Sequence, residues 1–288
     1  MDQAIINGLA EGSVYALLTL GLVFIHRITN IASFAHGEVS ALAAFIGFTV
    51  FNSLGAPFFI AIFASIVAGG LIGAVIECVV IRPVQSSNLL GTVVVTLGLF
   101  FVIHGCVTLI WGPEVRPYPS MFGEGTLRFG EISVSAQHLG VMLTAFVVAV
   151  GLAAFLRWTR TGLALRAIPQ NRFGAVLIGL NIRKLISIAW IVGSMVGAIA
   201  GVLIAPLTFL NSNMMQAPII KAFAVAALGG LNSLVGAFIG GLVLGVIENV
   251  AVLYIPTYFK DSIAFVFILV ILLFQPEGLF GKLHKEKV

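Results

Sequence analysis

Lys221 and Glu248 stand within residues 201–250, a stretch that is otherwise apolar and dense in glycine. A charged group in hydrocarbon is costly, so such residues pair with one another or line the path of a polar solute. Lys221 opens a short run and Glu248 lies toward the same end of the next one, so the two can share a depth and form an ion pair. A second polar group surrounds F-A-H-G-E at 34–38, with Asn30, Ser33, Phe34, His36, Gly37 and Glu38 as its members. Gly37 can interrupt a helix, and the backbone groups freed by a break inside a membrane need partners. His36 and Glu38 are placed to brace such a break, or to line or gate a pathway. Two ligand-type side chains without a third make a poor metal cage, so no metal site is expected. Glu77 and Arg82 read as a pair near a span end, and His104 as a histidine turned toward the bundle. The chain carries no G-x-x-x-x-G-K-[S/T] phosphate loop and no catalytic constellation, so neither an enzyme nor a bound cofactor is expected.

The elements that must hold these groups announce themselves through glycine. Gly193, Gly197 and Gly201 repeat at four-residue spacing, as do Gly69 and Gly73, Gly236 and Gly240, and Gly241 and Gly245. Each series puts small surfaces on one helix face and lets backbones approach closely, which is how helices associate in lipid. Cys78 and Cys106 fall in apolar runs and read as small buried hydrophobes, with no disulfide.

Only 9% of the 288 residues are charged and 60% are hydrophobic. A soluble domain carries about 25% charge, so this composition excludes a normal water-facing surface. The net charge of +4 comes from residues scattered over short loops, which argues against nucleic-acid binding. Spanning takes about 20 apolar residues. The runs 4–26, 37–54, 57–81, 89–111, 138–157, 186–210, 233–253 and 261–275 qualify, while 218–232 is short. Residues 4–26 read as a retained first helix, since no basic segment precedes them and no cleavage pattern follows. The fold expected is an all-α polytopic transmembrane bundle of eight or nine spans, forming one domain over 1–288. Of 15 Lys and Arg, 11 fall on one side: Arg27, Arg82, Arg157, Arg160, Arg166, Arg172, Arg183, Lys184, Lys282, Lys285 and Lys287. That side is cytoplasmic by the positive-inside rule. The C-terminus is then inside and the N-terminus outside, and an odd number of crossings follows, so nine is favoured. The outer loop 112–137, rich in proline and glycine, allows no more than a short hairpin; Trp111 and Tyr118 fit an interfacial aromatic belt.

The cytoplasmic loop 157–185 holds the most informative polar segment. Pro169 stops what precedes it and Asn171 is a helix cap. Phe173, Val176, Leu177 and Leu180 then recur at helical spacing, flanked by Arg172, Arg183 and Lys184. A short amphipathic helix results, suited to lie on lipid headgroups or to dock in a groove of a soluble partner. A chain without its own nucleotide site needs such a partner if transport is uphill.

The whole chain resembles the permease subunits of bacterial ABC importers of the branched-chain amino acid, LivH-type, family. The resemblance rests on N-G-L-A-E-G-S-V-Y-A-L-L-T-L-G-L at 7–22, F-A-H-G-E at 34–38, R-A-I-P-Q-N-R-F-G-A-V-L-I-G-L-N at 166–181, A-G-V-L-I-A-P at 200–206, K-A-F-A-V-A-A-L-G-G-L-N-S-L-V-G-A at 221–237 and Q-P-E-G-L-F-G at 275–281. It implies an ATPase-coupling segment at Asn171, Arg172, Phe173, Gly174, Ala175, Val176, Leu177, Gly179 and Leu180. In the family pattern E-A-A-x-x-x-G the acidic position is here Phe173, and Ser33 stands where Asn is usual. It also implies a second homologous permease subunit, two ATP-binding subunits that carry ATP and Mg, a periplasmic substrate-binding protein, and a path between two permease chains in a bacterial inner membrane. The implied cargo is a branched-chain or other hydrophobic amino acid, or a related amide or urea-like solute. The alternative from the residues alone is a self-sufficient channel or secondary carrier for a small neutral solute.

Overall fold

The computed structural model describes residues 1–84, 89–123, 125–129 and 132–256, with isolated residues beyond them (259, 260, 262, 265, 266, 269, 270 and 273). Among the described residues eleven α-helices follow one another: α1 Asp2–Thr29, α2 His36–Asn52, α3 Phe58–Val75, α4 Arg82–Val84, α5 Leu89–Trp111, α6 Ala136–Trp158, α7 Arg160–Ala167, α8 Arg172–Leu177, α9 Ile182–Thr208, α10 Gln216–Gly229 and α11 Leu234–Ala251. A π-helical turn, Ile76–Ile81, joins α3 to α4, so Phe58–Val84 runs as one 27-residue span. Among the described residues six helices are long and apolar enough to cross a membrane; α2 has 17 residues and α10 only 14. The expected span 261–275 falls mostly outside the described residues, as do the motif at 275–281 and Lys282, Lys285 and Lys287.

Helix α1 is the axis of the bundle. In its most apolar window 89% of residues are buried, against 17% for α5 and 28% for α6. It packs against α11, α9, α10 and α6. Surrounded on all sides, its hydroxyls must be satisfied from within. Ser13, Thr19 and Thr29 each donate to the carbonyl four residues back, at 2.7, 2.7 and 2.8 Å. Its closest neighbour meets it glycine to glycine. A Cβ on Gly12 would lie 2.8 Å from the Gly241 carbonyl oxygen, and one on Gly241 would lie 2.5 Å from the Ala16 backbone. The other ladders are used in the same way. Gly193 faces Ile25 and the Gly21 carbonyl, Gly69 faces Ala198, Gly73 faces Ser194, and Gly236 meets Gly229. Gly197 and Gly201 lie against Ser40. A Cβ on Gly240 would lie 3.1 Å from a Val225 methyl. The outer faces of α3, α5 and α6 present Phe59, Phe63, Leu71, Val94, Phe101, Leu109, Phe146 and Val147, an apolar surface suited to lipid.

The two ends of the bundle differ. At one end the N-terminus of α1 meets a hairpin of β1 Thr126–Phe129 and β2 Ile132–Ser135, paired antiparallel from Thr126↔Ser135 to Phe129↔Ile132. At the other lie α7, α8 and the basic residues of loop 157–185. Between them α10 runs parallel to α1: the Thr19 hydroxyl is 3.3 Å from the Ala222 carbonyl, and His26 Nδ1 is 3.3 Å from the Leu231 carbonyl. Fourteen residues reach about 21 Å, so α10 starts inside the bundle and returns as α11 toward the hairpin end.

Four expectations are corrected here. The break after α1 is not at Gly37 but at Asn30, which takes the left-handed conformation (φ 58°) while its N–H bonds the His26 carbonyl at 2.7 Å. Gly37 instead sits in the first turn of α2, where a Cβ would fall 2.8 Å from Ile219. Tyr118 is too buried to belong to an interfacial aromatic belt, while Trp111 is half-buried at the end of α5. The Trp111 indole N–H donates to Thr49 at 2.8 Å, and Tyr118 is buried among Phe48 and Phe58; burial pushes its phenol up to about 12. Cys78 and Cys106 are exposed on outer helix faces rather than buried. Helix α8 ends at Leu177, so Leu180 is not on its face.

The packing gives a paired expectation. Gly241→Ala must push α1 and α11 apart, because backbone rather than a flexible side chain opposes the new methyl. A loss of about 1–3 kcal/mol is expected. Gly151→Ala in α6 meets nothing within 4 Å and should be neutral or gain up to about 1 kcal/mol. Unfolding of the detergent-solubilised protein, followed against denaturant, separates the two.

Candidate functional site

Closure of the α10–α11 hairpin at Gly229 and Gly236 sets the depth of the two charges carried on it. The Lys221 ammonium lies 2.9 Å from one Glu248 oxygen and 3.1 Å from the other, and donates to the Tyr15 hydroxyl at 3.2 Å. It also stands 5.1 Å from the centre of the Tyr15 ring. Both charged side chains are almost wholly buried, at 5% and 0% exposure. Beside them a cavity of about 250 Å³ opens between α1, α9 and α10, with Lys221 in its wall. Lys260 and Glu11 pair at 2.6 Å on the same cavity, and Asn249 donates to Glu11 at 3.1 Å.

The group around 30–38 separates in space. His36 and Glu38, two residues apart on a helix, face different neighbours. Glu38 Oε2 lies 3.3 Å from His104 Nδ1 on α5. The His36 ring is enclosed against Gly21 and Gly197, and its carbonyl accepts from the Ser40 hydroxyl at 2.8 Å. The two therefore do not brace one break together. Phe34 stacks on Phe223 of α10 with ring centres 4.6 Å apart, Ser33 is buried, and Asn30 is exposed. Residues 31–35 thus tie the end of α1 to α10.

At the basic end, Arg82 grips Glu77 through two nitrogens at 3.1 and 2.8 Å, and Ser187 of α9 donates to the same carboxylate at 2.6 Å. The π-helical turn places Glu77 where it can face α9. Nearby, Asn171 caps α8 by accepting from the Gly174 N–H at 2.7 Å. Gly179 ends the helix with φ +82°, and the Leu180 N–H returns to the Ala175 carbonyl at 3.1 Å. Ala175 is buried and Leu180 half-buried, while Phe173, Leu177 and Ile178 are 75%, 71% and 74% exposed and Val176 is exposed beside them. Arg172, Arg183 and Lys184 surround this ridge, all exposed.

Tyr15, Glu11, Lys260 and His104 belong to these clusters although sequence reasoning assigned none of them a place there. Their partners are 66 to 249 residues distant, so local spacing carries no signal for them. Removing one member of the Lys221–Glu248 pair leaves its partner charge buried and uncompensated. Lys221→Met or Glu248→Gln alone should cost about 3–5 kcal/mol, and Lys221→Met with Glu248→Leu should recover most of it. Additive losses on the same unfolding measurement would contradict the pairing.

Comparison with known proteins agrees with the geometry of an apolar bundle around a glycine-packed axis. The family model described as "Branched-chain amino acid transport system / permease component" matches residues 4–273. The high-affinity branched-chain amino acid transport system permease protein LivH of Salmonella typhimurium is 32% identical, over 99% of this chain and 97% of its own. BraD of Pseudomonas aeruginosa, a permease protein of the same description, is 31% identical with the same coverage. Among solved structures, PsaBC from Streptococcus pneumoniae in complex with Fab aligns over 94% of this chain and 91% of its own, with a TM-score of 0.50 at 14% identity, a likeness of fold alone. With a family model covering nearly the whole chain and relatives above 30% identity end to end, the chain belongs to the family of branched-chain amino acid transport permease components.

Proposed function

We propose that this chain is the membrane-spanning permease subunit of an ATP-driven importer for branched-chain or other hydrophobic amino acids. It works with a second homologous permease subunit, two ATP-binding subunits that carry ATP and Mg, and a periplasmic substrate-binding protein. It sits in a bacterial inner membrane with nine crossings, the N-terminus periplasmic and the C-terminus cytoplasmic. The relatives support the cargo class, since their names are those of branched-chain amino acid permeases. The concentration of Arg and Lys at the α7–α8 end supports the orientation.

The observation that carries the reading is the ridge on α8. Phe173, Leu177 and Ile178 stand out from the basic end, where the surrounding arginines and lysine place them outside the hydrocarbon. Exposed apolar side chains rimmed by charge mark a docking surface. Here the partner is the ATP-binding subunit, and Phe173 supplies apolar contact where the family pattern has an acid. Movement of that subunit on ATP binding reaches the bundle through α7, against which α8 is folded and which itself packs on α9. The Glu77–Arg82–Ser187 network ties the foot of α9 to the π-helical turn, so a push on one is felt by both spans. The transport cycle is alternating access, and the ATP chemistry resides on the partners.

Leu177→Asp tests this directly. The residue is exposed, so the variant should fold and insert as the parent does. In the assembled transporter in proteoliposomes, uptake should fall by about tenfold or more, as for loss of a docking hot spot, and substrate should no longer stimulate ATP hydrolysis. Unchanged uptake would refute the coupling role of α8.

A further inference from the structure

We infer that the cavity between α1, α9 and α10 is a transit site for a small zwitterion with an aliphatic side chain. The inference rests on the amino-acid import proposed above and names where the cargo sits. The volume of about 250 Å³ corresponds to about eight waters at ~30 Å³ each. A branched-chain amino acid, with eight or nine non-hydrogen atoms, is of that size. Val14, Ile204, Leu207 and Met214 give the cavity an apolar wall for one aliphatic group.

The polar groups lie at two places. In one, Lys221 enters the wall, fixed from behind by Glu248 and Tyr15. The first turn of α10 lies beside it, since Ala217 and Pro218 also line the cavity, and no side chain caps that helix. Ammonium and helix start both favour a carboxylate. In the other, Glu11 presents a carboxylate that an ammonium already occupies, that of Lys260. Charged residues in a membrane protein's interior face a cavity or a partner, and here Lys221 and the Glu11–Lys260 pair line one small cavity. An amino acid satisfies them together. Its carboxylate turns to Lys221 and α10, and its ammonium replaces Lys260 on Glu11. That exchange swaps one cation for another on Glu11, and the displaced Lys260 ammonium, already 24% exposed, turns to water. The pairs differ in how readily they exchange: Glu11 and Lys260 are 34% and 24% exposed, while Lys221 and Glu248 are 5% and 0%. A half-exposed pair is held weakly, so cargo opens the outer pair and leaves the inner one intact.

Thr208 lines the same cavity and is exposed, which provides a readout independent of transport. In membranes carrying the full transporter with Thr208→Cys, the labelling rate with a membrane-impermeant maleimide is measured with three probes: leucine, leucinamide and 4-methyl-2-oxopentanoate. The last two lack the carboxylate and the ammonium respectively. Leucine should slow labelling by about tenfold, the effect of one charged contact, and the other two should not. Adding Glu11→Gln should abolish protection by leucine, while Glu11→Asp should retain it. Equal labelling with and without leucine overturns the site, and so does equal protection by all three probes, which would mark a merely apolar hollow. Leucine uptake by the parent transporter is measured alongside. Uptake without protection refutes this site and leaves amino-acid import standing. Protection without ATP-dependent uptake supports the site and refutes the importer.

Discussion

The bundle depends on one contact without side chains between its members: α1 against α11, where Gly8 and Gly12 meet Gly245 and Gly241. In lipid there is no hydrophobic gain from bringing two apolar helices together, so close backbone approach and dispersion must do it. The separations left for a Cβ at these positions, 2.3 to 2.8 Å to backbone atoms, mean that no other residue fits without moving a helix. That contact turns α1 from one span among several into an axis enclosed by four others. Enclosure then dictates what α1 is made of. Its hydroxyls bond back along their own helix, and its one buried phenol, Tyr15, faces the Lys221–Glu248 pair.

The position of α11 has a second consequence. Because the α10–α11 turn closes through Gly229 and Gly236, α10 is a short helix that begins within the bundle beside α1. A charge on α10 therefore lies deep, and the glutamate on α11 reaches the same depth. The short helix also leaves room above it, which becomes the cavity that Lys221 and the Glu11–Lys260 pair share. Packing, charge placement and cavity thus follow in sequence from the spacing of a few glycines. The outer helices α3, α5 and α6 carry the lipid-facing surface and are far less buried than α1.

Much of this was legible in the chain. Apolar runs located the helices to within a few residues, because length and hydropathy are local properties. The glycine spacing marked the packed faces for the same reason, and the shared depth of Lys221 and Glu248 followed from counting spans. What escaped the sequence depends on rotation and on long-range approach. Whether Trp111 faces lipid or Thr49 is decided by the turn of α5 about its own axis, which an evenly apolar helix does not record. His36 and Glu38 look like partners in a line of letters, yet on a helix they point apart, and Glu38 finds His104, 66 residues away. The stop at Leu177 was masked by Leu180, whose spacing continues the apolar pattern past a glycine that in fact ends the helix. Gly37 looked like a breaker, but the turn is made by Asn30, one of the few residue types that takes a left-handed conformation readily.

The central claim is that this chain is the membrane part of a machine driven by ATP bound elsewhere. The most direct measurement is to co-express the full chain, tagged, with its genomic neighbours, purify it in mild detergent, and identify by mass spectrometry what remains bound. The expected result is a complex containing an ATP-binding subunit and a second permease chain. A stable, well-folded chain that retains no nucleotide-binding subunit would contradict the claim and point to a self-sufficient channel or carrier.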